Sequence, residues 1–543
     1  MFLGATVETM VEGTASADSV AVFGGRIVHV GSSAEVRRLI GPGTRVIELD
    51  GETLLPGFED AHVHPISGGL LSRECDLHGL ADASAYLDAV AAHVAAHPDR
   101  DWITGGGWLL TAFPRGEPDG ALLDAIVPDR PTFLYSHDGH VGWANSKALA
   151  IAGIDRATPD PADGRIVRDA HGQPTGTLHD GAVDLLAPHL PQPTHADRLD
   201  GLRAGQAHLH ALGITAWQDA HVEPDELAVY REAAEAGWLT ARVVAALWWQ
   251  RRAGLEQIDA LERQRAESVI GRLRADSVKL MLDGILESRT AFMTSPYIGQ
   301  DGVAGADAGT PFIEPDLLRE AVIELDRRGF QAHFHAIGDG AVRLALDAVE
   351  SARRANGMTD HRHHVAHLEV VNPADVPRFA SLGVVANIQP LWASDDDQMR
   401  TLRVPLLGAD RAGWQYPFAS LLRAGATLAG GSDWTVSSAN PLLEIEVAVT
   451  RVDPDTRDVA PFSPDERLTL DAALRAFTIG SAYVNHLDDD TGTIEVGKLA
   501  DLVVLDRDLR DRGAGAIGDA TVRRTFVEGE EVFSATDERP SSL

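Results

Sequence analysis

Histidine occurs 22 times in 543 residues, and at that frequency about one His-x-His pair is expected by chance. Four occur: His62/His64, His208/His210, His333/His335 and His361/His363. Spacing alone selects none of them, so the surrounding residues must. His208/His210 lies in Gly205-Gln206-Ala207-His208-Leu209-His210-Ala211-Leu212, a helical pattern in which side chains two apart diverge. That pair reads as structural. His62/His64 ends the run Thr53-Leu54-Leu55-Pro56-Gly57-Phe58-Glu59-Asp60-Ala61-His62-Val63-His64-Pro65. On extended backbone, side chains two apart share a side, so both imidazoles can reach one metal ion. Two polar loop histidines are the competing reading.

Lysine changes that balance. The only lysines among 47 basic residues are Lys147, Lys279 and Lys498. Asp276-Ser277-Val278-Lys279-Leu280-Met281-Leu282 reads as a strand on which Lys279 faces away from Val278, Leu280 and Leu282. An ammonium inside a core is costly unless it is paired or neutral. A neutral amine can take up carbon dioxide and become a carbamate, a carboxylate on a long arm that can bridge two metal ions. A lysine that reaches out to solvent is the alternative. Three further candidates close strands: His335 before Gly338-Asp339-Gly340, His367 after His363-His364-Val365-Ala366, and Asp433 after Gly430-Gly431-Ser432.

These residues need a frame that brings strand ends together. Candidate strands are Thr53–Phe58, Gly213–Trp217, Ala241–Leu247, Asp276–Leu282, Phe330–His335, His363–His367, Gly383–Ile388 and Ala426–Gly430. Helical patterns such as Glu314–Arg328, Ala341–Ala355 and Tyr416–Ala424 separate several of them. Alternating strands and helices imply a parallel sheet, and eight units suggest a closed (β/α)₈ barrel whose C-terminal face holds the site. An open doubly wound sheet is the alternative, and the absence of a G-x-G-x-x-G after any strand argues against its dinucleotide version. The stretch Ser72 to Asp197, with helical runs Ala83–Ala96 and Ser146–Ala152 and a Gly/Pro-rich passage from Pro159 to Gly176, is too long for a βα loop and reads as an insertion after strand one. Both chain ends are strand-like: Ser19–Phe23, Arg26–Val30 and Arg45–Leu49 at one end, and Gly492–Val496, Asp501–Leu505 and Val522–Val527 at the other. The expected fold is an α/β chain with a TIM-like barrel (58–72 plus 198–486), an inserted domain (73–197) and a small β-sandwich built from both termini (1–57 plus 487–543).

Composition removes other classes. The formal net charge of −34 disfavours nucleic acid and acidic lipid surfaces. The first twenty-five residues hold no Lys or Arg and do not read as a signal peptide. No apolar run approaches the roughly 20 residues that cross a bilayer. The lone cysteine, Cys75, leaves no internal disulfide to form, in keeping with a reducing compartment. The expectation is a cytoplasmic protein with a small-molecule substrate and a homodimer as the assembly to test.

With these residues in view, the sequence resembles the amidohydrolase superfamily, and within it the branch of N-substituted formamide deformylases and YtcJ-like proteins. The motifs are Pro56-Gly57-Phe58-Glu59-Asp60-Ala61-His62-Val63-His64, Val278-Lys279-Leu280-Met281-Leu282-Asp283-Gly284, His335-Ala336-Ile337-Gly338-Asp339, His367, Gly431-Ser432-Asp433 and Gly497-Lys498-Leu499-Ala500-Asp501. Asp138-Gly139-His140, Asn145-Ser146-Lys147-Ala148-Leu149 and Pro174-Thr175-Gly176 continue it inside the insertion. The resemblance implies that His62 and His64 hold one metal with Asp433, and that Lys279, as a carbamate, bridges to a second held by His335 and His367. Glu59, Gly340 and Ala366 depart from the residues usual in the family. One or two zinc ions, with manganese or iron as alternatives, would activate water. Asp433 would shuttle its proton to the departing amine, and His140 would add a hydrogen bond. Trp108, Trp392 and Trp434 are candidates for an apolar substrate pocket. Hydrolysis of an amide or N-substituted formamide is the expected reaction; a lyase or decarboxylase on the same barrel and a non-catalytic binding protein are the competing classes.

Overall fold

The structure, a computed structural model, describes residues 1–13, 16–80, 82–299, 302–511 and 513–535. Eight parallel strands follow one another in sequence order: β1 (Phe58–Val63), β2 (Ile214–Val222), β3 (Arg242–Trp248), β4 (Leu273–Met281), β5 (Gln331–Ala336), β6 (His364–His367), β7 (Val385–Ile388) and β8 (Leu428–Gly430). Parallel strands are covered on both faces, and β1, β5, β6, β7 and β8 are buried at every position, polar side chains included. The helices Pro315–Arg327 and Asp339–Asn356 cover the outside; the first buries Leu318, Ala321, Val322 and Leu325, the spacing of one helical face.

The barrel closes just beyond β8. Asp433 N–H donates to the His62 carbonyl at 2.7 Å, and His64 N–H to the Trp434 carbonyl at 2.9 Å. Gly431 permits this approach, since a Cβ there would lie 2.8 Å from His62 Cβ. The seam of the barrel is therefore made by the motif residues themselves.

Two extended pieces meet at Gly57. The expected first barrel strand, Thr53–Phe58, is corrected: Thr53–Pro56 belongs to another sheet, paired with Leu502–Leu505 and Phe2–Val7, and the barrel strand starts at Phe58. That other sheet draws on both chain ends, in the order Glu530–Ser534, Val522–Val527, Leu502–Leu505, Thr53–Pro56, Phe2–Val7, Ala17–Phe23 and Arg26–Gly31. It encloses a core of its own around Phe2, Val20, Ile27, Leu54, Leu502 and Phe526. Gly492–Val496 is not a strand; Ile494 instead donates its N–H to the Thr9 carbonyl and buries its side chain. Arg45–Leu49 shortens to the two-residue strand Ile47–Glu48.

Between β1 and β2, a third sheet runs in the order Gly164–Arg168, Pro174–Asp180, Val141–Ala144, Thr132–Ser136, Ile103–Trp108 and Cys75–Asp76. The Gly/Pro-rich passage thus contains a hairpin. The chain enters this region from helix Pro65–Leu70 and leaves it into helix His195–Ala211, and the two helices touch through glycines. A Cβ on Gly69 would stand 1.9 Å from the Gly201 carbonyl oxygen, and one on Gly205 2.2 Å from that of Pro65. Exit and re-entry lie side by side. Among the described residues no helix is long and apolar enough to cross a membrane.

Candidate active site

At the C-terminal mouth of the barrel, a cavity of about 320 Å³ is lined by His62, His64, Lys279, His335, His367 and Asp433. Each arrives from a different place: β1, the residue after β1, β4, β5, the end of β6 and the loop beyond β8. Lys279 is buried, and the alternation of β4 turns Val278 and Leu280 into the outer core. Its amine stands 3.2 Å from His62 Nε2. Asp433 Oδ1 lies 3.0 Å from His64 Nε2 and 3.3 Å from His62 Nε2, and its Oδ2 lies 3.9 Å from His367 Nδ1. Among the described residues, His62, His367 and Asp433 form the one group of three whose ligand atoms all lie within 4.8 Å of one another.

Electrostatics put these groups in the states a cation needs. Burial lowers His62 to about 3, with Lys279 adding to the effect, and burial takes His335 and His367 well below the ordinary histidine value. Burial brings the Lys279 amine down to about 7, although Asp433 and Asp219 oppose it. Burial alone would raise Asp433, but its contacts with His62 and His64 hold it well below the usual carboxylate range. Neutral imidazoles around an ionised carboxylate are what a divalent ion binds. His367 Nδ1 is buried without a hydrogen-bond partner, an orphan that a cation would satisfy. The donor set fits a divalent metal.

The grouping differs from the one the resemblance implies. His367 converges with His62 and Asp433, whereas the ring of His64 is 5.6 Å from that of His62 and touches Asp433. His335 turns Nδ1 to Asp283 Oδ1 at 3.2 Å, and its ring lies 4.5 Å from His367. Both His367 and Asp433 sit in the left-handed region, with φ of 81° and 54°. For a non-glycine residue that costs on the order of 1–3 kcal/mol and marks strain held at a functional position.

The insertion contributes His140, on the turn before Val141–Ala144. Its Nδ1 lies 2.6 Å from Asp180 Oδ1, and its ring is 5.6 Å from His335. Burial alone would lower His140, but Asp180, Asp138 and Asp433 outweigh it and push it up to about 9, so a cation faces the cavity. Trp392 lines the cavity and stacks flat on His367, with ring centres 5.0 Å apart. The other two tryptophans do not line it. Trp108 is fully buried in the insertion, its indole N–H donating to the Leu134 carbonyl, because Phe113 and Trp143 pack around it. Trp434 turns away from Asp433 to lie on Gly68 and stack on His208, in a neighbouring slot of about 280 Å³.

Several residues escaped sequence reasoning. Asp60 clasps the seam: it accepts from His62 N–H, Ser432 N–H and the Ser432 hydroxyl. Arg403 sits in the cavity wall between Glu287 and Glu369, at 2.5 and 3.4 Å, and donates to the Tyr416 hydroxyl. Asp60 and Asp283 stand inside the quoted motifs and could have been singled out. Arg403 and its carboxylates come from separate segments of the chain and carry no shared signal.

The model of the Amidohydrolase family matches residues 45–533. The chain belongs to the amidohydrolase family. This amidohydrolase is 32% identical to Protein LONG AFTER FAR-RED 3 of Arabidopsis thaliana over 95% of its own length and 88% of that protein. It is 30% identical to the N-substituted formamide deformylase of Arthrobacter pascens over 97% of each chain. In three dimensions it resembles an uncharacterized metal-dependent hydrolase from Pyrococcus furiosus, with a TM-score of 0.71 and 27% identity over 93% of this chain and 98% of that one. As a family member it is a hydrolase acting on carbon–nitrogen bonds.

Proposed function

We propose that this amidohydrolase cleaves a small non-peptide amide, with N-substituted formamides the first class to test, at a divalent ion held by His62, His367 and Asp433 beside His64. The observation that carries the reading is the convergence of those three ligand atoms in a cavity that also holds Lys279 and His335. When bound, such an ion brings the pKa of water toward about 7 and polarises a carbonyl. Zinc suits the nitrogen and oxygen donors; manganese or iron could take the same set. Asp433, kept ionised by His62 and His64, accepts the proton of the attacking water and returns it to the departing amine nitrogen. His140, protonated through Asp180, donates toward the carbonyl oxygen as negative charge builds there. Trp392 supplies an apolar wall next to His367. Lys279 as a carbamate, with His335, is the place for a second ion. Its buried amine near neutrality is the state that takes up carbon dioxide.

Elemental analysis with a panel of N-substituted formamides, acyl amides and cyclic amides tests this. The expected result is at least one divalent ion per chain and hydrolysis of a panel member, both lost on dialysis against chelator. Full activity in metal-free protein, or no hydrolysis of any amide by metal-loaded protein, would overturn the proposal.

A further inference from the structure

Beneath the ligands, the interior of the barrel is polar where a hydrocarbon core would be the ordinary filling. His333, His364, Gln218, Asn387 and Gln389 are all fully buried. Hydrogen bonds fix the direction of almost every group, starting from carbonyls that can only accept. Gln331 Nε2 donates to the Val484 carbonyl at 2.7 Å and to that of Arg362 at 2.9 Å, so its Oε1 is left as an acceptor. Gln218 Nε2 donates to that oxygen, which turns Gln218 Oε1 toward His364 Nε2 at 3.0 Å and requires a proton on that nitrogen. His364 Nδ1 then accepts from Asn387 Nδ2, which also donates to the Ala61 carbonyl next to His62. Asn387 Oδ1 accepts from Gln389 Nε2, and Gln389 Oε1 accepts from His367 N–H.

His333 stands on this floor with its ring 4.0 Å from that of His364, and its Nε2 is 2.9 Å from His62 Nδ1. Its other nitrogen has no hydrogen-bond partner among the described residues. A buried imidazole with an orphan nitrogen is costly, and a leucine or phenylalanine would fill the place without that cost. The contact with His62 is what accounts for a histidine here. We propose that His333 is a positioning residue: its Nε2 accepts from His62 Nδ1–H and so holds His62 in the tautomer whose Nε2 lone pair points at the cation site. The inference rests on the reading of His62 as a metal ligand. Ligating histidines commonly donate their second N–H to a carboxylate, carbonyl or water; here the acceptor is another imidazole, braced from below by His364. It also gives the two histidines of His333/His335 separate tasks, His335 lining the cavity and His333 supporting His62.

The test is zinc affinity, measured by competition with a chromophoric chelator on the full chain, for wild type, His333→Leu and His333→Gln. Loss of the acceptor in His333→Leu is expected to weaken zinc binding about 10–100-fold. Glutamine, whose Oε1 can accept the same bond, is expected to recover most of it, a rescue that loss of packing would not give. Nitrogen-15 spectra of histidine-labelled, zinc-loaded wild type are expected to show His333 protonated on Nδ1, its signal identified by its loss in His333→Gln. Wild-type affinity in a folded His333→Leu protein, or a glutamine variant as weak as the leucine one, would overturn the proposal. So would a proton on His333 Nε2, whichever variants fold. A wild-type chain that binds none of zinc, manganese and iron overturns the metal reading itself; one that binds its metal independently of His333 overturns the positioning role alone.

Discussion

Burial would raise the Asp433 carboxyl, yet His62 and His64 keep it ionised, while burial, with Lys279 adding to it at His62, keeps the neighbouring imidazoles neutral. A group held as a base among ligands is suited to moving a proton. In Asp433→Asn the amide can still accept from His64 but can no longer take up a proton. We expect kcat to fall by roughly 10²–10⁴-fold, the usual worth of acid–base catalysis, with the fold retained by circular dichroism. Near-normal turnover would remove Asp433 from that role. Lys279 gives a sharper contrast. Arginine is a long basic side chain like lysine but stays protonated and forms no carbamate. Lys279→Arg is therefore expected to lose bound metal by elemental analysis together with activity, and an active, metal-loaded arginine variant would make the lysine purely structural.

At the scale of elements, the decisive contact is the glycine-lined crossing of helix Pro65–Leu70 on helix His195–Ala211. The first helix begins right after His64, so its seat fixes the end of β1, with His62 on it and His64 just past it. Gly205→Leu drives a side chain against the Pro65 carbonyl, which a Cβ alone already approaches to 2.2 Å. Overpacking of this kind costs about 1–3 kcal/mol. The variant is expected to melt earlier and to bind zinc more weakly, because the helix cannot shift without moving His64. Unchanged melting and zinc affinity would show that the crossing does not hold the site.

Across the whole molecule, the barrel and the terminal sheet are joined by buried polar contacts. Arg242 in β3 donates to Asp501 and Glu528, each at 2.8 Å, and Thr491 donates its hydroxyl to Glu59 of β1 at 2.5 Å. Burial pushes the Glu59 carboxyl up to about 8, and its second oxygen has no hydrogen-bond partner. A carboxyl whose pKa is higher folded than unfolded binds its proton better in the folded state. Its contribution is therefore complete below the unfolded value near 4.5 and is lost as pH rises through 8. Glu59→Gln keeps the acceptor for Thr491 and cannot ionise. Thermal melts are expected to show little change at pH 5 and a gain of at least about 1 kcal/mol over wild type at pH 9. Parallel melting curves for the two proteins across that range would show that Glu59 does not titrate in the joint.

Much of this architecture was legible in the chain because each strand carries its own signature. In β4 the alternation of Val278, Leu280 and Leu282 marked one apolar face, and Lys279 stood out as a lone amine on the opposite side. The same locality explains where reading stopped. Thr53–Pro56 and Phe58–Val63 follow one another with only Gly57 between them, and only the choice of partner strand assigns them to two sheets. Trp108, Trp392 and Trp434 are equivalent in sequence, and only packing sends one to the insertion core, one to the cavity and one to a neighbouring slot. His333 had no role in the sequence, and Arg403 looked like one more arginine, until closure of the barrel set them against His62 and against Glu287 and Glu369. Residue type and strand period are fixed by covalent neighbours. Which side chains converge is fixed by contacts between residues up to hundreds of positions apart, and no local pattern encodes those.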